Sequence, residues 1–167
     1  MHTLRRSLLP LLGTVVLLWL FRAPMYRAIV SYHILAERAP VMALRTGGKD
    51  VVDLDAAIQA VLDTTANRLY FSTGRVSSDP HALVHGSPAN CIGYAALFAS
   101  LLKGSLVHAR INERYEVQHV IGKLHIGPWD LHAVSSSAFW KDHDIVRIRD
   151  KRDGSSIHVD PTLYDAV

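Results

Sequence analysis

The 167 residues contain one cysteine, Cys91. A single thiol excludes an intrachain disulfide framework and leaves the redox compartment undecided. The spacings C-x-x-C and H-E-x-x-H are also absent. Zinc ligands usually come as close pairs at set spacing, so the ten histidines do not read as a metal site, and no metal or other cofactor is expected. No repeat or low-complexity run is present, and no uncharged apolar run reaches the ~20 residues that span a bilayer as a helix. A basic surface is missing too. Of 18 basic and 15 acidic residues, seven basic and one acidic fall in residues 1–49, leaving 11 and 14 beyond. Phosphate binding needs positive charge on the domain itself, so nucleic acid is not the expected partner.

What is present is ordinary globular material, 49% apolar and 20% charged, enough for one domain with a core. It is preceded by a charged N-terminus with Arg5 and Arg6 and an uncharged run of 14, Leu8 to Phe21. That is the pattern of a secretory signal or signal anchor. Ala28 to Leu35 is apolar enough to continue the helix if Arg22 and Arg27 reach the interface. No small-x-small cleavage site follows, because Ala23 precedes Pro24 and Met25, so an uncleaved single-pass anchor over residues 1–35 is expected. Basic residues flank both ends and leave the orientation open; an extracytoplasmic domain is the preferred arrangement. Residues 36–53, with Gly47-Gly48-Lys49-Asp50, read as a linker, and 54–167 as the domain.

Within the domain, Asp53 can cap a helix whose apolar positions Leu54, Ile58, Val61, Leu62 and Leu69 recur at helical spacing. Residues 72–89, rich in Ser, Gly, Pro and His, read as a loop where a substrate cleft can form. Asn90 to Lys103, N-C-I-G-Y-A-A-L-F-A-S-L-L-K, is apolar on almost every side and belongs in the middle of a domain. Asn90 is its expected N-cap and Gly104 its stop. After Gly104 the period becomes alternating. Leu106 to Arg110, Glu116 to Gly122, Leu131 to Val134, His143 to Arg149 and Ser155 to Val159 read as strands of a mostly antiparallel sheet. Helices followed by strands predict an α+β domain with helices packed on one sheet face.

Cys91 would be the first residue inside its helix, where the dipole favours a thiolate over a thiol. The alternative is a small apolar core residue. A thiol nucleophile needs a histidine to exchange its proton and a third group to orient the imidazole. The last two strands offer His143 and Asp160, joined by the turn D-K-R-D-G. A loop centred between Lys151 and Arg152 sets residue 143 opposite 160; a tight turn on Asp153-Gly154 sets it opposite Tyr164. His132, 28 residues before Asp160, is the rival base. Trp129, Phe139 and Trp140 read as core or cleft wall. The run Arg147, Arg149, Lys151 and Arg152, answered by Asp144, Asp150 and Asp153, reads as a solvated hairpin tip.

The motifs N-C-I-G-Y-A-A-L-F-A-S-L-L, H-D-I-V-R-I and V-D-P-T, in that order over residues 54 to 164, resemble the transglutaminase-like (papain-like) cysteine enzymes. The resemblance implies Cys91 as nucleophile, His143 as general base, Asp160 as orienting acid and a papain-like core. It also implies acyl transfer on amides or esters of a protein or peptide, as in peptidases, amidating or deamidating enzymes and cross-linkers. Ile145 departs from the pattern, since many members carry an aromatic two positions after the histidine. A hydrolase is expected ahead of a cross-linker. The alternatives are a catalytically silent module that binds a protein or peptide at the membrane, and a domain that only positions a docked N-terminal segment.

Overall fold

The computed structural model describes residues 29–38, 40–44, 53–134 and 143–164. The apolar run over 8–21 lies outside these residues, as do Phe139, Trp140 and the side chain of His132. Among the described residues the first element is strand β1 (Val30–Glu37), followed by helix α1 (Leu54–Arg68), strand β2 (Leu69–Phe71), the single turn α2 (Pro80–Leu83), β3 (Ser87–Ala89) and the long helix α3 (Cys91–His108). The chain then forms β4 (Tyr115–Ile126), β5 (Trp129–Asp130), the turn α4 (Leu131–Val134), β6 (His143–Asp150), β7 (Ser156–Val159) and the turn α5 (Pro161–Tyr164).

The main sheet has the order β1-β4-β6-β7, with β5 folded back on the end of β4, and every pairing is antiparallel. A separate parallel pair joins β2 to β3. The class is therefore α+β, with helices on a mostly antiparallel sheet. α3 lies at the centre of the core. Its Tyr94, Leu97, Phe98 and Leu101 share one buried cluster with Ile58, Val61 and Leu62 of α1 and with Val117, Val146 and Ile148 of the sheet. Each such side chain contributes about 1.5–3 kcal/mol by leaving water. By length and composition α3 is apolar enough to cross a membrane, but here it is the core helix of the domain.

Three sequence expectations fail for identifiable reasons. The continuation of an N-terminal helix to Leu35 is replaced, from Val30 on, by β1. Val30, Tyr32 and Ile34 are half-buried between exposed Ser31, His33 and Leu35, the period-two pattern of an edge strand, and β1 pairs with β4 from Ile126 to Val120. The folded unit thus starts well before residue 54. The described part of the expected linker packs down too: the Leu44 N–H donates to the Ser100 carbonyl at 3.0 Å, and Lys103 Nζ donates to the Val41 carbonyl at 2.9 Å.

Second, α3 does not stop at Gly104 but runs to His108, so Leu106 to Arg110 is a helix end and not a strand. The stop is a Schellman arrangement closed by Arg110 at φ 58°, with the Arg110 N–H on Val107 O (3.1 Å) and the Ile111 N–H on Leu106 O (3.0 Å). Glycine at 104 serves close approach instead. A Cβ there would stand 1.7 Å from the Leu44 carbonyl oxygen. Third, Leu131 to Val134 is the turn α4, and Trp129, expected in core or cleft wall, is 66% exposed. The loop over 72–89 contains α2 and β3.

Candidate active site

Asn90 caps α3. Its side-chain oxygen accepts the Gly93 N–H at 3.2 Å, and its carbonyl accepts from Tyr94 at 3.0 Å, which fixes Cys91 as the first helical residue. Gly93 lets the preceding loop close over this first turn: a Cβ would meet Ala89 Cβ at 3.0 Å and both Leu83 Cδ1 and the Ser77 carbonyl at 3.3 Å. Cys91 is buried with 7% of its surface open.

His143 opens β6 opposite Gly122 and is almost fully buried. Asp160 follows β7. The hairpin register lies midway between the two read from the sequence: Val146 faces Val159 and Arg147 faces His158. Extended, it sets residue 143 against 162, so Asp160 is the diagonal neighbour of His143, within reach of a long side chain. The His143 Nε2–H donates to Asp160 Oδ2 at 2.5 Å. The other carboxylate oxygen, Oδ1, accepts the N–H groups of Thr162 (3.1 Å) and Leu163 (3.2 Å). Asp-Pro-Thr is therefore a helix start, with Asp as cap and Pro at the first helical position, and the cap aims Oδ2 at the imidazole.

Burial disfavours a charged imidazole, but the Asp160 carboxylate, through its hydrogen bond and its charge, together with the neighbouring Cys91, outweighs it. His143 is raised from the ordinary 6.5 to about 10. With Nε2 on Asp160, the other ring nitrogen, Nδ1, is buried within the site. Cysteine, histidine and aspartate thus meet at one place, the N-terminus of the central helix.

A second polar group lies beside it. Asp144 is the next residue along β6 and faces the opposite way. It accepts Arg38 Nε at 2.5 Å and Nη2 at 3.1 Å, and it bonds His119 Nε2 at 2.9 Å. Burial pushes the Asp144 carboxyl up, yet His119 and Arg38 together hold it below its ordinary 3.8. Arg38 and His119 also border a cleft of about 320 Å³ along the first turns of α3, lined further by Ile92, Ala96, Asp79 and Met42. Neither this cleft nor a larger cavity near the α1 cap, about 460 Å³, is lined by Cys91, His143 or Asp160. Two of the three acids expected to answer the basic hairpin run pair with cations outside it, Asp144 with Arg38 and Asp150 with Arg114, although Asp150 also accepts the Arg152 N–H at 2.9 Å.

Sequence reasoning missed Tyr32, whose hydroxyl donates to Asp160 Oδ2 at 2.8 Å, and Arg38, because both lie in segments assigned to anchor and linker. The alternation of Val30, Tyr32 and Ile34 was the available signal. It missed the His119–Asp144 pair because partners from different strands leave no spacing to read. Comparisons with protein-family models, curated proteins and solved structures returned no match.

Proposed function

We propose that this chain is a membrane-anchored, transglutaminase-like thiol enzyme that cleaves amide or ester bonds of a protein or peptide. The supporting observation is the buried imidazole at the start of the cysteine helix: His143 is held by Asp160 through Nε2, and Cys91 is its neighbour. In this reading the Cys91 thiolate attacks the substrate carbonyl carbon and forms a C–S bond. The Cys91 N–H, in the helix turn whose donors lack intrahelical partners, faces the developing oxyanion. The bond to the amine or alcohol then breaks, and the imidazolium gives that leaving group its proton. Water attacks the thioester and returns a proton to His143. The C–S bond breaks, and the acid product leaves.

Water needs no second binding site, so hydrolysis is preferred to cross-linking. The membrane attachment rests on the sequence of residues 8–21. The burial of Cys91 and His143 favours one second reading, a silent module that binds a peptide alongside α3. Mass spectrometry after incubation with an activated aryl ester separates the two. An acyl group on Cys91, formed with a burst of the released phenol and lost in Cys91→Ala and His143→Ala, is the expected result. Folded protein that never acylates contradicts the enzyme.

A further inference from the structure

Asp160 Oδ2 receives a second donor. Tyr32 Oη lies 2.8 Å from the same oxygen that accepts His143 Nε2. The tyrosine ring lies nearly parallel to the imidazole, with 13° between planes and 6.3 Å between centroids. The two residues come from strands separated by β4. On β4 the residue directly opposite both Ile34 and His143 is Gly122, so no side chain stands at that point of the face. Tyr32 pairs with Leu124, two residues along, and reaches over this gap.

From these contacts we infer that Tyr32 is a positioning residue for Asp160 and His143. Its hydroxyl fixes the carboxylate, and its ring fixes the plane of the imidazole. The inference rests on the reading of Cys91, His143 and Asp160 as a thiol site.

The hydrogen-bond inventory supports a directing role. A carboxylate offers about four lone-pair sites. Those of Asp160 meet four donors: the Thr162 and Leu163 N–H groups on Oδ1, and the Tyr32 hydroxyl and His143 Nε2–H on Oδ2. The Oδ1 donors are local to the chain around Asp160 and come with the turn α5. Tyr32 is the donor that arrives from the far edge of the sheet. It therefore ties the orientation of Oδ2 to the docking of β1, 128 residues away in sequence. Such partners are what hold a reacting group to within fractions of an ångström of a working position. His158 also borders the tyrosine ring, at 6.3 Å and 49°.

The test is the pH profile of Cys91 alkylation by iodoacetamide, on the full chain in detergent. The proteins are wild type, Tyr32→Phe, Asp160→Asn, the double variant and His143→Ala, each checked by thermal melting. Tyr32→Phe keeps the ring and removes only the donor. It is expected to lower the neutral-pH rate roughly tenfold, the scale of a hydrogen bond to a charged group, and to move the profile in the same direction as Asp160→Asn. The double variant should be no slower than Asp160→Asn alone, because the hydroxyl acts through that carboxylate. A purely structural role would lower the melting temperature and leave the profile in place. A Tyr32→Phe profile that overlays wild type while His143→Ala departs from it, or losses that add in the double variant, overturn the role of Tyr32 and leave the site standing. If His143→Ala also overlays wild type, the site itself falls, and the role of Tyr32 with it.

Discussion

The carbonyl oxygen of Leu44 occupies the position that a side chain on residue 104 would need, 1.7 Å from an ideal Cβ. Neither group can move cheaply. Gly104 is interior to α3, and the Leu44 N–H is bonded to Ser100 one turn earlier. Gly104→Ala would gain helix propensity in an isolated peptide, yet here it is expected to destabilise by about 3 kcal/mol or more, since the clash is with backbone. Urea unfolding measures this directly.

Arg110 gives the opposite expectation. Its φ of 58° closes α3 in the left-handed region, which is strained for a residue with a Cβ and free for glycine. Arg110→Gly should stabilise by about 0.5–1 kcal/mol after the added freedom of the unfolded chain is subtracted. The rate of Cys91 alkylation should not change, because the site lies at the other end of the helix.

Two helix caps separate stability from reactivity. Asp53 accepts the Ala56 N–H at 2.8 Å and starts α1; Asn90 accepts the Gly93 N–H at 3.2 Å and starts α3. Replacing either by alanine should cost about 1 kcal/mol. Only Asn90→Ala should also slow Cys91 alkylation, because it loosens the turn that carries the thiol.

Stability should fall on both sides of a pH window, for different residues. The folded state binds the His143 proton more tightly than the unfolded chain. The contribution of His143 is complete below 6.5, declines as pH rises and is lost at about 10. For Asp144 the sign reverses. Its carboxyl is held below 3.8, so its contribution is present above that value and is lost as pH falls through the folded one. Melting temperature against pH should therefore lose its basic limb in His143→Ala and its acid limb in Asp144→Asn. Asp144→Asn should also cost about 1–3 kcal/mol near neutrality, because it removes the charge that Arg38 and the buried His119 bond to.

The parts of this structure that were legible from sequence are those set by local pattern. Asp53 and Asn90 announce their helices by cap chemistry. The apolar run from Ile92 to Leu102 announces a central helix, and the alternation in H-D-I-V-R-I announces β6. His143 and Asp160 were legible because a hairpin brings near neighbours together. The register was not, since a slip of one residue changes which side chains meet. β1 was hidden by its apolar content beside the N-terminal run, and Tyr32 and Arg38 were hidden with it. The helix end at Arg110 was hidden because arginine occupies a position that glycine usually fills. A chain starting at residue 46 would omit all of β1 and should fail to fold cooperatively.

The central claim is that Cys91 and His143 work as a pair, and the most direct measurement is the alkylation rate of Cys91 by iodoacetamide at neutral pH in folded wild type and folded His143→Ala. Wild-type thiol that reacts readily despite its burial, and a rate that drops at least roughly tenfold in His143→Ala, the scale of losing a charge-assisted hydrogen bond, is the predicted result. A thiol equally reactive, or equally inert, in both proteins contradicts the pairing and makes Cys91 a core residue of a binding module.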